Sequence, residues 1–183
     1  MKKFSLLFLL ITLIVGLGIS GCNTGNKKSV QNTQDEEKQL EDSLLNLVQF
    51  QTFEYFWDGA EPVSGMARER IHMDNIYPQH DKDIVTIGGS GFGLMAILVG
   101  VERGFITRQQ ALERFQKIVA YLAKADRFHG AWPHWLDGPT GKVSPFSKKD
   151  DGGDLVETAF LVQGLLSVAE YFKDGNPAEQ QLA

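Results

Sequence analysis

The sequence predicts an all-α protein, and three observations support this prediction. Four segments of helical length recur along the chain, at residues 39–57, 92–101, 107–125 and 155–172. They alternate between amphipathic and almost uniformly apolar, as the outer and inner helices of a layered α-protein do. Strand signals are limited mainly to a short β-branched run before the second segment. We therefore expect helical hairpins wrapped into two concentric layers.

Composition places the chain among ordinary soluble globular proteins and excludes one class of partner. The chain has 183 residues and a formal net charge of −5, with 43% hydrophobic and 22% charged residues. These proportions are typical of a domain with a packed core. No basic stripe is available to follow a phosphate backbone, so we expect no nucleic-acid partner.

The first residues have the features of an export signal. Two lysines precede an apolar stretch at residues 4–19, and the sequence ISGC follows at residues 19–22. This resembles the bacterial lipobox, in which the signal peptide is cleaved before a cysteine whose thiol is then lipidated. We therefore predict a signal peptide at 1–21 and a lipid on Cys22, which would anchor the protein in the cell envelope. A plain secretory signal with an incidental cysteine, or an N-terminal membrane anchor, is the alternative.

The residues after the cysteine predict a tether. Residues 23–38 are rich in Asn, Gln, Ser, Lys and acidic residues and contain no aromatic residue. Such a stretch cannot bury enough apolar surface to offset its loss of conformational entropy. We therefore predict a flexible tether at 22–38 and a folded domain at 39–183.

The four predicted helices differ in how much of their surface is apolar. The first and third carry an apolar stripe with charged residues between, and Thr107 with Gln110 suits a capping box at the start of the third. The second, FGLMAILVGV, carries no charge, and the fourth is apolar nearly all round until Glu170. We expect the second and fourth helices to be surrounded by protein.

Two long connections are the expected location of a functional site. Residues 58–87 and 126–153 are longer than typical loops in a compact domain, and loops of such length are usually functional or disordered. Their aromatic residues and prolines argue against disorder. Both lead into predicted buried helices, so they would gather at one mouth of the layered assembly.

Asp154 and Glu157 form an acid pair within DDGGDLVETAF, residues 150–160. Residues three apart on a helix are neighbours on its surface. They could be site carboxylates, one with a raised pKa because like charges resist joint ionisation. They could equally be a helix cap with an acid in the first turn. Both can be true together. Because glycosidic hydrolysis places carboxyls on opposite sides of the bond, a partner acid would come from another segment.

The second long loop contains an aromatic cluster at residues 128–142. Trp132 and Trp135 offer indole faces on which sugar rings could stack, with polar neighbours to bind hydroxyls. Equally, the loop could pack its own aromatics over the helix ends. His129 and His134 lack zinc-ligand spacing and cysteine partners, so we expect no metal site.

Two further patterns have simpler explanations than ligand binding. The glycines in IVTIGGSGFGLMAI do not match the dinucleotide-binding spacing, and they predict close backbone packing with Ser90 as a helix cap. Arg68 and Arg70 lie among acidic residues in the first long loop. They could hold substrate hydroxyls or pair with Glu61, Glu69 and Asp74 at the surface.

Several phrases together resemble one family. QTFEYFWDGAEPVSGMARER, GGSGFGLMAILVGVERGFITRQQALER, AWPHWLDGPTGK and DLVETAFLVQGLL are similar, in this order, to the opening portion of bacterial glucoamylase-like proteins. That group includes glycoside hydrolase family 144, with its endo-β-1,2-glucanases. The similarity extends over residues 49–172.

This resemblance implies an (α/α)6 toroid whose pocket lies where the inner helices begin. It implies hydrolysis of a β-glucan or glucoside, with β-1,2-glucan favoured, by general acid–base catalysis with inversion and without cofactor. Asp154 and Glu157 would be catalytic, and His134, Trp135 and Asp137 would line the sugar subsites.

A toroid of this kind needs about twelve helices, and four are predicted here. We therefore expect the chain to be an incomplete part of a longer enzyme, with no catalytic activity by itself. A non-catalytic glycan-binding lipoprotein is the alternative function. Such a protein would need the tryptophans but not Glu157.

Overall fold

A computed structural model describes residues 24–183, with side chains from residue 35 onward. The predicted signal peptide at 1–21 and the predicted lipidation site, Cys22, lie outside the described residues. The described chain divides after Asn46 into two units, and the second unit is Leu47–Ala183.

The described chain is mostly helical, which confirms the predicted fold class. The helices are α1 (Thr24–Trp57), α2 (Ile87–Glu102), α3 (Arg108–Leu122), α4 (Leu155–Phe172) and α5 (Pro177–Leu182). Three short strands, β1 (Ile84–Thr86), β2 (Trp135–Asp137) and β3 (Val143–Ser144), form an antiparallel sheet in the order β1-β2-β3. Only β1 coincides with a strand signal in the sequence.

Helix α1 begins within the segment predicted to be a flexible tether. From Thr24 to residue 38 the backbone is helical, and the described side chains of residues 35–38 are exposed. The segment lacks proline, and Lys, Gln and Glu have favourable helix propensities. Low hydrophobicity excludes burial but does not prevent a helix, and this explains the difference from the prediction.

In the second unit, the end of α1 packs against the core. Phe53 is 4% exposed and stacks on Trp57, with 5.8 Å between ring centroids. Leu47 and Val48, which belong to the predicted apolar stripe, are more than half exposed. The stripe is therefore buried only towards the C-terminal end of the helix.

Helices α2 and α4 meet through glycines. A Cβ atom on Gly91 would lie 2.2 Å from the carbonyl oxygen of Phe160, and one on Gly164 would lie 2.4 Å from the carbonyl oxygen of Gly91. No side chain fits at such distances, so the two backbones approach as closely as glycine allows. This confirms the predicted role of glycine in close packing.

The other side of each apolar helix is exposed, contrary to the prediction that α2 and α4 are surrounded by protein. Phe92 on α2 is 50% exposed, and on α4 Leu155 and Leu166 are 78% and 65% exposed. Each helix buries the face that meets its described neighbours, and nothing in the described chain covers the opposite face.

By length and composition α4 could cross a membrane, but its glycine contact with α2 makes it a helix of this packed unit.

Helix α3 has the predicted amphipathic form. The Thr107 side chain accepts a hydrogen bond from the Gln110 backbone N–H, and the Gln110 side chain accepts from the Thr107 backbone N–H, which confirms the capping box. Its buried stripe consists of Ala111, Leu112, Phe115, Ile118 and Leu122.

The two long loops meet through the sheet. Strand β1, from the first loop, pairs with β2, from the second, with Thr86 opposite Trp135. The backbone N–H of Ile87 donates to the carbonyl oxygen of His134 at 3.2 Å. Pro133 forms a bridge with Gly153, just before α4. The loops therefore gather where α2 and α4 begin, as the sequence predicts.

Candidate functional site

Asp154 sits at the start of α4 as its N-cap, with extended backbone angles. Its Oδ1 accepts from the backbone N–H groups of Val156 and Glu157, at 2.9 and 3.0 Å. Its Oδ2 lies 2.9 Å from Nδ1 of His134. Because an ionised carboxylate only accepts, Nδ1 is the donor in this bond. One carboxylate thus fixes a helix start and a histidine ring.

These contacts favour the ionised form of Asp154. Partial burial acts to raise the pKa of Asp154, but the backbone donor of Glu157, the His134 side chain and the backbone donor of Val156 together outweigh it. The pKa of this carboxyl therefore lies below its ordinary value. Asp154 therefore does not have the raised pKa that a catalytic acid would need.

Glu157 makes a different contact from the one that a capping box requires. Its Oε2 accepts from the backbone N–H of Gly88 at 2.8 Å, in the first turn of α2. A Cβ atom on Gly88 would lie 2.5 Å from this oxygen, so only glycine permits the approach. Oε1 of Glu157 has no hydrogen bond to any other described residue. The side chain therefore joins two helix starts and keeps one oxygen available.

The two carboxylates face the positive ends of two helix dipoles. Asp154 caps α4, and Glu157 accepts from the first turn of α2. Helix N-termini favour negative charge. The structure confirms the helix cap at Asp154, and the catalytic interpretation of the two acids stays a prediction.

An aromatic wall lies beside the acid pair. The ring centroids of His134 and Trp135 are 5.2 Å apart, and Phe146 lies 4.7 Å from the first and 4.9 Å from the second. The indole N–H of Trp135 donates to Oε2 of Glu69 at 2.9 Å. Since His134 also bonds to Asp154, this wall is continuous with the acids.

A cavity of about 260 Å³ lies beside Trp135. Glu69, Arg70, His80 and Asp81 line it together with the indole. The Arg70 guanidinium lies 3.5 Å from Glu69 and 3.4 Å from Asp81. Arg70, a predicted binding residue, therefore lines the same cavity as Trp135. Trp135 directly follows His134, the residue that bonds to Asp154.

The structure places Trp132 away from this wall. Its indole packs against the hydrophobic core, and its ring N–H donates to the carbonyl oxygen of Leu122. Its backbone N–H donates to the hydroxyl of Thr158 on α4. Trp132 therefore anchors the loop to two helices, and its predicted role as a sugar-stacking residue stays a prediction.

Asp137 also has a structural task. Its Oδ1 accepts from the backbone N–H of Thr140 at 3.0 Å, within the turn that joins β2 to β3. Its carbonyl oxygen accepts from the hydroxyl of Tyr121. The side chain holds a turn, and its predicted sugar contact stays a prediction. The pKa of the Tyr121 hydroxyl is raised, chiefly by burial.

Two other predicted polar roles differ in the structure. Arg68 pairs with Asp83 at 2.9 Å, and none of the acids that the sequence suggested for it is its partner. Ser90 lies inside the first turn of α2 and does not cap it. Its hydroxyl donates to the carbonyl oxygen of Thr86 and accepts from the N–H of Ala67. It therefore ties the first loop to the helix.

No cluster of three or more histidine, cysteine or acidic residues suited to a metal ion occurs within residues 24–183.

The contacts that sequence reasoning missed are those of Glu69, Asp81, Phe146 and Gly88. The partners in each of these contacts come from distant segments or from turns without helical periodicity, so no spacing in the sequence signals them.

Comparison with known proteins gives a consistent set of relatives. No family model matches the chain. An exo-β-1,2-glucooligosaccharide sophorohydrolase of Parabacteroides distasonis is 52% identical over 143 residues. An endo-β-1,2-glucanase of Chitinophaga pinensis, solved with sophorotriose and glucose, is 67% identical with a TM-score of 0.76. A β-1,2-glucanase structure from P. distasonis is 51% identical with a TM-score of 0.70.

These relatives are much longer than the chain. The similarity covers 77% of this chain but 34% of the C. pinensis structure. It covers 78% of this chain and 19% of the P. distasonis sophorohydrolase. The chain therefore spans about a third or less of the length of the proteins it matches.

Proposed function

Because the chain is homologous over 77% of its length to glucoamylase-like β-1,2-glucanases of glycoside hydrolase family 144, we propose that it contributes one wall of the active site of a β-glucan hydrolase. The favoured substrate is a β-1,2-glucan. The observation that supports this most strongly is the pair Asp154 and Glu157, held at two helix starts beside an aromatic wall. An acidic cleft with an aromatic side is a typical site for a sugar.

The two acids take different roles in this proposal. A carboxyl with a lowered pKa is a poor proton donor near neutral pH, so Asp154 acts as a fixed negative charge. Three donors already occupy its oxygens. Glu157 has one oxygen without a described partner, and we assign to it the role of the base that takes a proton from the attacking water. The charge of Asp154 orients His134 and strengthens the negative field around that water.

The proton donor to the leaving group comes from another segment in this proposal. Asp154 and Glu157 lie on one wall, whereas hydrolysis requires a carboxyl on the opposite side of the scissile bond. Inverting glycosidases separate their two carboxyls by about 6.5–9.5 Å to leave room for water. A pair of acids on one side of the bond can supply the general base, while the general acid comes from the opposite side. This division of roles fits the inverting mechanism that the resemblance implies.

Saccharide contacts are assigned to His134, which bonds to Asp154, to Trp135, which contacts His134, and to Arg70, which lines a cavity with Trp135. Trp132 and Asp137 stay predicted contacts, although the described hydrogen bonds of their side chains are made to Leu122 and Thr140. No cofactor takes part in the proposed reaction.

We further propose that the protein is exported and anchored to a membrane of the cell envelope through lipid on Cys22. The support comes from the sequence alone, in the lipobox-like ISGC after an apolar segment. A single lipid chain gives marginal membrane binding, and several chains on one cysteine give a stable anchor.

Replacement of Glu157 by Gln in the chromosomal gene tests the hydrolase proposal. Glutamine keeps an oxygen for the Gly88 N–H but cannot take a proton from water, so we expect turnover of β-1,2-glucan to fall at least a hundredfold. Binding of sophorotriose should change little. The matched control is Glu102→Gln, an acid at the opposite end of α2. Unchanged hydrolysis in Glu157→Gln would refute the assignment, and binding without any hydrolysis in the wild type would favour the glycan-binding alternative.

A further inference from the structure

Thr158, one turn after the N-cap of α4, uses its hydroxyl outside its own helix. The Oγ1 atom accepts from the backbone N–H of Trp132 at 3.0 Å and donates to the carbonyl oxygen of the same residue at 3.2 Å. A threonine or serine inside a helix commonly donates instead to the carbonyl oxygen four residues earlier. Thr52 on α1 and Ser167 on α4 do so in this protein. The contact of Thr158 with a loop therefore differs from the usual one for its residue type.

The first turn of α4 holds both polar backbone groups of Trp132. The carbonyl oxygen of Trp132 also accepts from the backbone N–H of Asp154 at 2.8 Å, in addition to its bond with Thr158. The next loop residue, Pro133, forms a bridge with Gly153. The backbone of the second long loop is therefore attached to the start of α4 at two neighbouring residues, and Thr158 supplies the acceptor for the Trp132 N–H.

This attachment lies two residues before His134. Nδ1 of His134 is 2.9 Å from Oδ2 of Asp154, and the carbonyl oxygen of His134 accepts from the backbone N–H of Ile87 at the start of α2. Two residues of extended chain span about 7 Å at most, so a shift of Trp132 away from α4 is passed on to His134. The bond between His134 and Asp154 therefore depends on where the loop is held.

Thr158 and its neighbour Glu157 connect α4 to two different segments. Glu157 accepts from the backbone N–H of Gly88 at the start of α2, whereas Thr158 bonds to the loop at Trp132. Consecutive residues of a helix point about 100° apart, so the two side chains reach in different directions. Between them they set the positions of α2 and of the loop relative to α4.

We propose that Thr158 is a positioning residue of the site: its hydroxyl holds the loop at Trp132, so that His134 stays bonded to Asp154. This inference rests on the proposed function, since it names what keeps the parts of that site in place. Thr158 acts through Trp132 and His134 and takes no part in the chemistry. A displacement of about 1 Å can lower turnover about a hundredfold. Loss of the hydroxyl should therefore lower turnover at temperatures at which the protein remains fully folded.

The kinetic test uses the full-length product of the native gene. Thr158→Val keeps the shape of the side chain but removes the hydroxyl, and Thr158→Ser keeps the hydroxyl. Thr52→Val is the matched control, because the Thr52 hydroxyl bonds only within its own helix. We expect kcat on β-1,2-glucan to fall about tenfold or more in Thr158→Val, to recover in Thr158→Ser and to stay unchanged in the control. Thermal melts establish that each variant is folded, and Thr158→Ala replaces Thr158→Val if valine is not tolerated.

A second measurement follows the histidine without any substrate. In protein labelled with nitrogen-15 at histidine, NMR detects the Nδ1–H proton of His134, and His134→Gln identifies its signal. We expect a signal shifted downfield by the bond to Asp154 in the wild type and in Thr158→Ser, and its loss in Thr158→Val.

The two measurements separate this inference from the proposed function. An unchanged signal or an unchanged kcat in Thr158→Val would refute the positioning role, even if Glu157→Gln abolishes hydrolysis. A wild type without the signal would contradict the bond on which the role depends. Loss of the signal in Thr158→Val of a protein that hydrolyses no glucan would support the hold of Thr158 on His134 and refute the proposed function.

Discussion

At the scale of single residues, Asp154 shows how one side chain serves both fold and site. Its Oδ1 caps α4 and its Oδ2 fixes His134. A cap requires an acceptor at this position, whereas the histidine contact benefits from a full negative charge. Asparagine would supply the first but not the second, so the two tasks can be separated experimentally.

The lowered pKa of Asp154 predicts a pH-dependent loss of stability in Asp154→Asn. A carboxyl with a lower pKa in the folded state stabilises the fold above its unfolded pKa, which is about 3.9. This contribution is lost as the pH falls through the lower folded pKa. We therefore expect the melting temperature of the wild type to exceed that of Asp154→Asn at pH 7, and the gap to close below about pH 4.

Thermal melts of both proteins between pH 3 and pH 7 measure this gap. Asp174→Asn, at an exposed position after α4, is the control. A gap that stays constant or widens in acid would show that Asp154 gains nothing from its charge.

At the scale of elements, the contact between α2 and α4 depends on glycine. Gly91→Ala would place a methyl group 2.2 Å from a carbonyl oxygen of α4, and backbone cannot rotate away as a flexible side chain could. Overpacking of this kind costs about 1–3 kcal/mol. We expect Gly91→Ala to lower the free energy of unfolding by at least that amount.

Gly152→Ala is the matched control, because a Cβ atom there would meet nothing within 4 Å. Denaturant unfolding compares the two variants, and the control should change stability by less than about 0.5 kcal/mol. Equal stability of both variants would contradict the close approach of the helices.

Sequence periodicity predicted the positions of the longer helices better than it predicted the short helix and the strands around them. The predicted segment 155–172 coincides with α4, because an N-cap aspartate marks its start and an apolar run follows. The segment at 107–125 gave α3 for the same reason, through Thr107. Helix α5 was not predicted, because its six residues are too short to show a periodicity. Strands β2 and β3 depend on pairing across a loop, which local pattern does not reveal.

The sequence indicated which residues to expect near the helix start, and the contacts agree with that placement: Asp154 bonds to Glu157 and His134, and His134 contacts Trp135. The roles predicted for these residues stay predictions. The indole of Trp132 bonds to Leu122 and that of Trp135 to Glu69, and sequence alone does not distinguish these two partners. Partners that are more than sixty residues apart, such as Glu69 and Trp135, require the folded chain.

At the scale of the whole molecule, the exposed face of α4 is the most unusual feature of the second unit. Leu155, Val156 and Leu166 are each more than 60% exposed on a helix with few charges. Contiguous apolar surface of this kind marks an interaction face or causes aggregation. It is also the face that additional helices of a layered fold would cover.

We predict that a protein consisting of residues 23–183 self-associates through this face. Leu166→Lys should reduce the association because it places a charge within the apolar surface, and Lys173→Met, beyond the end of α4, should not. Sedimentation velocity at micromolar concentration measures the effect. A monomer in the parent protein would show that the exposed face is not adhesive.

The most direct test of the proposed function is the action of the native protein on linear glucans of defined linkage. Membranes from the source cell, and from a strain carrying Glu157→Gln, are incubated with β-1,2-, β-1,3-, β-1,4- and β-1,6-linked glucans, and the products are identified by chromatography. We expect the wild-type membranes to release β-1,2-linked oligosaccharides and the variant membranes to release at least a hundredfold less. Equal release by both membranes, or cleavage confined to another linkage, would contradict the proposal that Glu157 belongs to a β-1,2-glucan hydrolase.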